Sequence, residues 1–183
     1  MKRALPLLLI TFTTPAHAAD RQAARKAIVA GIEQYYGGKT QAARIELLNV
    51  IKADGDWALA HALQGRIYLT LGDGVAAESE LRRAVELGLP EPQIQHLFLH
   101  AWLLQKNYDG VLNAPELSGI RPVSAGYTAR VRAGAAIARG DIPLAAKNFD
   151  RAIALAPKSA QLWTDIGNFR LIGGNVGDRK SVV

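Results

Sequence analysis

From Ala24 to Leu171 apolar residues recur three and four positions apart, in runs of about fifteen residues separated by short polar turns. The stretch RIYLTLGDGVAAESELRRAVELGLP, residues 66–90, shows how the runs meet. It holds the end of one run, a Gly-Asp-Gly break, and the whole of the next run, which stops at Gly88-Leu89-Pro90. Such spacing is helical, and neither run can bury its apolar side alone. The pattern predicts helices over about 20–37, 39–53, 57–71, 74–88, 91–106, 123–139, 142–156 and 159–173.

A single period relates these helices. Gly31, Gly65 and Gly167 fall on one 34-residue lattice, with Leu99 and Ala133 at its other places. Gly38, Gly72, Gly140 and Gly174 fall on a second, with Lys106 in the missing place. Ala43, Ala77, Val111 and Ala145 make a third lattice; Leu47, Leu81 and Phe149 make a fourth, interrupted by Pro115; Val50, Ala84 and Ala152 make a fifth, with Ser118 between. Frames therefore begin near Ala24, Ala58, Pro92, Gly126 and Ala160, each a first helix, a glycine-marked turn and a second helix. Small residues on the first and third lattices let two antiparallel helices approach closely, while larger apolar side chains fill the space between. The third frame departs from the rest. Pro115 and the PELSGIRP stretch fall where its second helix belongs, and proline inside a helix costs about 3 kcal/mol, so that helix is expected to be short or irregular.

These residues resemble the tetratricopeptide repeats. The best copies are GRIYLTLGDGVAAESELRRAVEL (65–87) and RAGAAIARGDIPLAAKNFDRAIALAP (132–157). In the second, Ala133, Gly140, Ala145, Phe149, Ala152 and Pro157 occupy the family's places; in the first, Gly65, Tyr68, Gly72, Ala77, Leu81 and Ala84 do, with Pro90 one place late. LWTDIGNFRLIGGN (162–175) is similar to a further first helix, and 24–57 is a weaker copy. The resemblance implies an all-α, right-handed superhelical solenoid of helix-turn-helix repeats over 19–175, with copies near 24–57, 58–91, 92–125, 126–159 and 160–175 and a short tail at 176–183. It also implies a concave groove lined by the first helices. Carried over residue by residue, the partner-binding positions are Arg25 and Tyr35, Arg66, His96 and His100, Tyr127 and Arg130, and Asn168. That stripe carries arginines and no acidic residue, which suits a protein or peptide partner bearing carboxylates. More loosely, the chain resembles secreted bacterial proteins of this family associated with exopolysaccharide export.

The N-terminus adds a compartment. MKRALPLLLITFTTPAHA has a basic start, a short apolar run and a small-x-small Ala16-His17-Ala18 site, so residues 1–18 are expected to be a secretory signal peptide and the protein periplasmic or secreted. The net charge is +6, from 22 basic and 16 acidic residues; losing Lys2 and Arg3 leaves 20 basic against the same 16, an excess of +4. That excess is modest, and its basic pairs Arg82-Arg83 and Arg130/Arg132 are expected on solvated helix faces rather than clustered with aromatics, so nucleic acid is not an expected partner. No later stretch is long and apolar enough to span a bilayer.

Candidate chemistry is sparse. The chain has no cysteine, which removes disulfides, thiolate metal sites and cysteine catalysis. His96 and His100 share a helix face at metal-ligand spacing but lack a third ligand, and no metal or cofactor is expected. His61 is expected at the edge of a core. No Gly-x-Ser-x-Gly occurs, and the glycine pairs at 37–38 and 173–174 sit where turns belong rather than in a phosphate loop. No second helix begins near residue 176, so Trp163, Ile166, Phe169 and Ile172 are expected to leave an apolar flank on the last helix, a surface for self-association or for a continuing array. The sequence thus reads as a non-enzymatic interaction scaffold. The alternative is the N-terminal repeat portion of a longer protein whose catalytic part lies elsewhere; direct polysaccharide binding is a third reading, with too few aromatics to favour it.

Overall fold

The computed structural model describes residues 15–173, with side chains described from residue 22. The basic start and apolar run of the expected leader, within residues 1–14, and the tail at 176–183 lie outside the described residues. The described chain is all-α. Its helices are α1 (Pro15–Tyr36), α2 (Thr40–Ala53), α3 (Ala58–Thr70), α4 (Gly74–Glu86), α5 (Glu91–Leu104), α6 (Tyr108–Asn113), α7 (Pro122–Ala138), α8 (Ile142–Leu155) and α9 (Ala160–Leu171). Among the described residues no helix is long and apolar enough to cross a membrane. The chain divides into two compact units, Met1–Gly55 and Asp56–Val183.

In the first unit α1 packs on α2. Ala43, Leu47 and Val50, at helical spacing on α2, are buried. Gly31 of α1 is the point of closest approach: a methyl group there would lie 3.2 Å from Leu47 Cγ.

The second unit repeats that contact in α3 and α4. A methyl on Gly65 would lie 2.9 Å from Leu81 Cγ and 3.1 Å from the Ala77 carbonyl oxygen. Ala77, Leu81 and Ala84 are fully buried, and Phe98 and Ala101 of α5 join the same core. The α7–α8 pair uses alanines where the earlier pairs use glycine. Ala129, Ala133 and Ala136 meet Ala145, Phe149 and Ala152, and Leu162, Ile166 and Phe169 of α9 close that core from the other side. Phe149 and Phe169 rings stand 5.1 Å apart. Burying a side chain of that size contributes about 1.5–3 kcal/mol.

The turns within the pairs share one conformation. Gly38, Gly72 and Gly140 have φ of 77°, 79° and 76°, and Lys106, at the same lattice place, is the one described non-glycine residue with positive φ, at 62°. The left-handed residue ends one helix by turning its backbone N–H back onto the last turn. In the three turns of the second unit the residue after it caps the next helix with its side chain, whereas Lys39 makes no such cap on α2. Asp73 accepts from Ala76 N, Asn107 from Gly110 N and Asp141 from Leu144 N.

The third frame is irregular, as Pro115 requires. Its second helix, α6, has six residues and stops at Asn113. Residues 114–121 carry no helix and are held instead by polar contacts. Arg132 donates to Glu116 Oε1 at 2.9 Å and to the Ala114 carbonyl at 2.5 Å, and Arg151 pairs with the same Glu116 oxygen. Gln95 donates to the Pro115 carbonyl. This corrects the expectation of a solvated Arg130/Arg132 pair. Arg132 is buried because the missing helical turns leave carbonyl and carboxylate acceptors facing α7, and Arg130 is half-buried, its guanidinium paired with Asp165 of α9.

The last helix also differs from expectation. Ile166 and Phe169 are 1% exposed, inside the α7–α8 core, whereas Trp163, Leu171 and Ile172 are exposed. The apolar flank is therefore two faces, one already satisfied and one open.

Candidate functional site

The polar residues of the first helices converge in the second unit. Arg66 comes from α3, His96 and His100 from α5, Tyr127 and Arg130 from α7, and Asp165 from α9. Helical spacing puts His96 above His100 and Tyr127 close to Arg130 on single faces. Tyr127 is the hub. His100 Nδ1 and the Tyr127 hydroxyl share a hydrogen bond of 2.6 Å. The His96 and His100 rings stand edge-on to Tyr127, with centroids 5.2 and 5.6 Å away. The Arg130 guanidinium lies 4.7 Å over the face of the Tyr127 ring, a cation–π arrangement.

Arg130 also donates to Asp165 Oδ2 at 2.6 Å, and Gln161 donates to the other Asp165 oxygen at 2.9 Å. The Arg130 side chain is 10% exposed and that of Asp165 28%. A charge so removed from water needs its counter-ion, and Asp165 supplies it. Asp165 lies outside the stripe read from the sequence, yet it is the carboxylate that neutralises Arg130.

Burial shapes the histidines. Desolvation pushes the His96 imidazole down to about 4, with the Arg66 and Arg121 charges acting in the same direction. Desolvation likewise pushes His100 down to about 4, helped by Arg130 and opposed in part by Asp165. Both rings are neutral at neutral pH, so they contribute shape and hydrogen bonding rather than charge. The positive potential over His96 comes from Arg66 and Arg121.

The candidate residues therefore separate. His96, His100, Tyr127 and Arg130 form one contiguous cluster, with Arg66 near enough to act on His96. Asn168 is exposed on α9. Arg25 and Tyr35 belong to the other unit, where Arg25 is exposed and Tyr35 packs edge-on to Tyr36 at 5.5 Å. Two residues were missed. Asp165 falls off the 34-residue stripe by one place, and Arg121 lies in the irregular segment before Pro122, where no repeat register applies. His61 is buried, with Nδ1 2.6 Å from Glu80 Oε2 on α4. Among the described residues no group of histidines and carboxylates is placed to hold a metal ion. What the cluster offers a ligand is an aromatic and imidazole surface flanked by guanidinium groups, suited to carboxylates and peptide carbonyls. No protein-family model matches the chain, and no curated protein matches it.

Proposed function

We propose that this chain is a secreted or periplasmic scaffold of tetratricopeptide type that binds another protein and performs no chemistry itself. One observation carries the reading. Every side chain of the Arg66, His96, His100, Tyr127, Arg130 and Asp165 neighbourhood comes from a first helix, α3, α5, α7 or α9, and none from the second helices α4 and α8. A right-handed solenoid of helix pairs puts its first helices on one concave surface, and a groove lined in this way takes an extended or helical peptide. The partner is a protein segment rich in carboxylates, read by Arg66 and Arg121 and seated on Tyr127 and the neutral histidines. The leader-like N-terminus supports the envelope as the place, and the looser resemblance supports exopolysaccharide assembly as the setting. Nucleic acid and cofactors have no part in this reading.

The test is a crosslinking pull-down from native envelope with the processed chain as bait, beside an Arg66→Ala/Arg121→Ala double variant. Arg130 is left alone because its loss would unseat Asp165. Charge-assisted contacts contribute about 1.5–3 kcal/mol each, so a carboxylate-bearing partner should be lost from the double variant, whose melting temperature should be little changed. Equal recovery by both baits would refute the groove.

A further inference from the structure

The open face of α9 can be read by comparison with the complete helix pairs of the same chain. Gly31 and Gly65 are each closed by a second helix, through Leu47 with the Ala43 carbonyl and through Leu81 with the Ala77 carbonyl. Ala133, at the same place in α7, is fully buried in the core it shares with α8. Gly167 occupies that place in α9, and a methyl group there would meet nothing among the described residues within 4 Å. The neighbours agree. His61 and Ala129, the equivalents of Trp163 in α3 and α7, are buried, whereas Trp163 is 46% exposed. Ala136 is buried at the place where α9 exposes Arg170. Arg170 pairs with no acidic side chain among the described residues.

The three helices that close such a face carry one pattern. It reads Ala43, Leu47, Val50 in α2; Ala77, Leu81, Ala84 in α4; and Ala145, Phe149, Ala152 in α8, all buried. We propose that the Trp163–Gly167–Arg170 face of α9 is a docking site for an amphipathic helix of a different polypeptide, carrying an alanine-sized residue, a leucine or phenylalanine four places on, and an alanine or valine three places after that. The small residue lies over Gly167, where the backbones come closest. An acidic residue in the incoming helix's first turn meets Arg170, since antiparallel pairing sets that turn against the end of α9 and a carboxylate there also suits the helix dipole. A second copy of this chain does not fit the role, because α2, α4 and α8 have their matching faces buried already. The sequence after Gly173 does not fit either: Arg179 stands where α2, α4 and α8 have alanine.

The probe is a fluorescein-labelled peptide of residues 73–87 of this chain, DGVAAESELRRAVEL, which supplies Asp73, Ala77, Leu81 and Ala84. A hydrocarbon staple across positions 75 and 79, both exposed in α4, holds it helical. Anisotropy titration against the full chain is expected to show saturable binding. Binding should weaken about tenfold or more when the peptide carries Leu81→Asp or the chain carries Gly167→Leu, whose melting temperature should not fall because the site is open and leucine favours helix over glycine. Undetectable binding overturns the proposal, as does equal affinity for the Gly167→Leu chain, which would place the peptide elsewhere. Sedimentation of the chain alone supplies the remaining arm. A dimer that Gly167→Leu dissolves would give the face to a second copy, and binding that appears only after residues 174–183 are removed would give it to the tail; either result overturns the proposal.

Discussion

Alanine replacing Gly65 and alanine replacing Gly167 should shift stability in opposite directions, although both glycines lie in helices at the same place of the repeat. Alanine gains about 0.8–1.0 kcal/mol over glycine in a helix interior, and both substitutions collect that gain. At Gly167 no described residue opposes it, because the new methyl meets none of them within 4 Å. At Gly65 the methyl would arrive 2.9 Å from Leu81 Cγ, 3.0 Å from Leu81 Cδ2 and 3.1 Å from the Ala77 carbonyl oxygen. Leu81 is fully buried and has little room to turn, and the carbonyl belongs to the α4 backbone. Overpacking of this kind costs about 1–3 kcal/mol, which leaves a net loss of about 1 kcal/mol. A chain of this length moves about 2–4 °C in melting temperature per kcal/mol. Gly167→Ala should therefore raise the midpoint by about 3 °C and Gly65→Ala lower it by a similar amount, read by circular dichroism at 222 nm (the helix band) under one buffer. Shifts of the same sign in both variants would refute the reasoning, because they would mean that α3 and α4 relax around a methyl as easily as the open face of α9.

Asp165→Ala should destabilise the chain by about 2 kcal/mol in urea, between the cost of breaking a buried pair and an exposed one, since it strands the half-buried Arg130 charge, and should move His100 further below its present value by removing the one charge that raises it; a loss under about 0.5 kcal/mol would show the pair to be dispensable. His96 and His100 titrate near 4 in the fold against 6.5 outside it, so the unfolded chain takes up protons first as pH falls. Their contribution is present in full above 6.5 and lost between 6.5 and 4, and a urea midpoint that drops over that window in the parent but stays flatter in His96→Gln/His100→Gln would confirm the sign.

The parts of the fold that follow from neighbouring residues were legible in the sequence. Glycine at 38, 72 and 140 announced the turns, and the lattice singled out Lys106 as the residue that must do the same work with a side chain in the way. Pro115 correctly announced the short α6. Contacts between successive pairs were harder to see. Arg130 and Asp165 are 35 residues apart, and His100 and Tyr127 are 27 apart, so neither spacing equals the 34-residue period. Partners across the interface of adjacent first helices thus fall one residue or seven residues off the lattice. Arg132 was misread for a related reason. Its surroundings are set by the loop that replaces part of a helix, and periodicity describes helices only. Asp73, Asn107 and Asp141 also recur at the repeat distance as helix caps, a regularity that apolar periodicity does not carry because it rests on polar residues in the turns.

Those caps and left-handed turns also bear on which changes of length the chain can absorb. Each helix hairpin is closed by three residues that hold their own geometry, 37–39, 71–73, 105–107 and 139–141. One residue inserted within a helix rotates everything after it in that helix by about 100° and turns a sealed face outward. Placed in α7 between Tyr127 and Arg130, it would carry the guanidinium off both the phenol ring and Asp165. A whole added 34-residue period that brings its own turn and cap is expected to keep the helix faces in register, so the spacing that the hairpins share is the change of length this chain should absorb best.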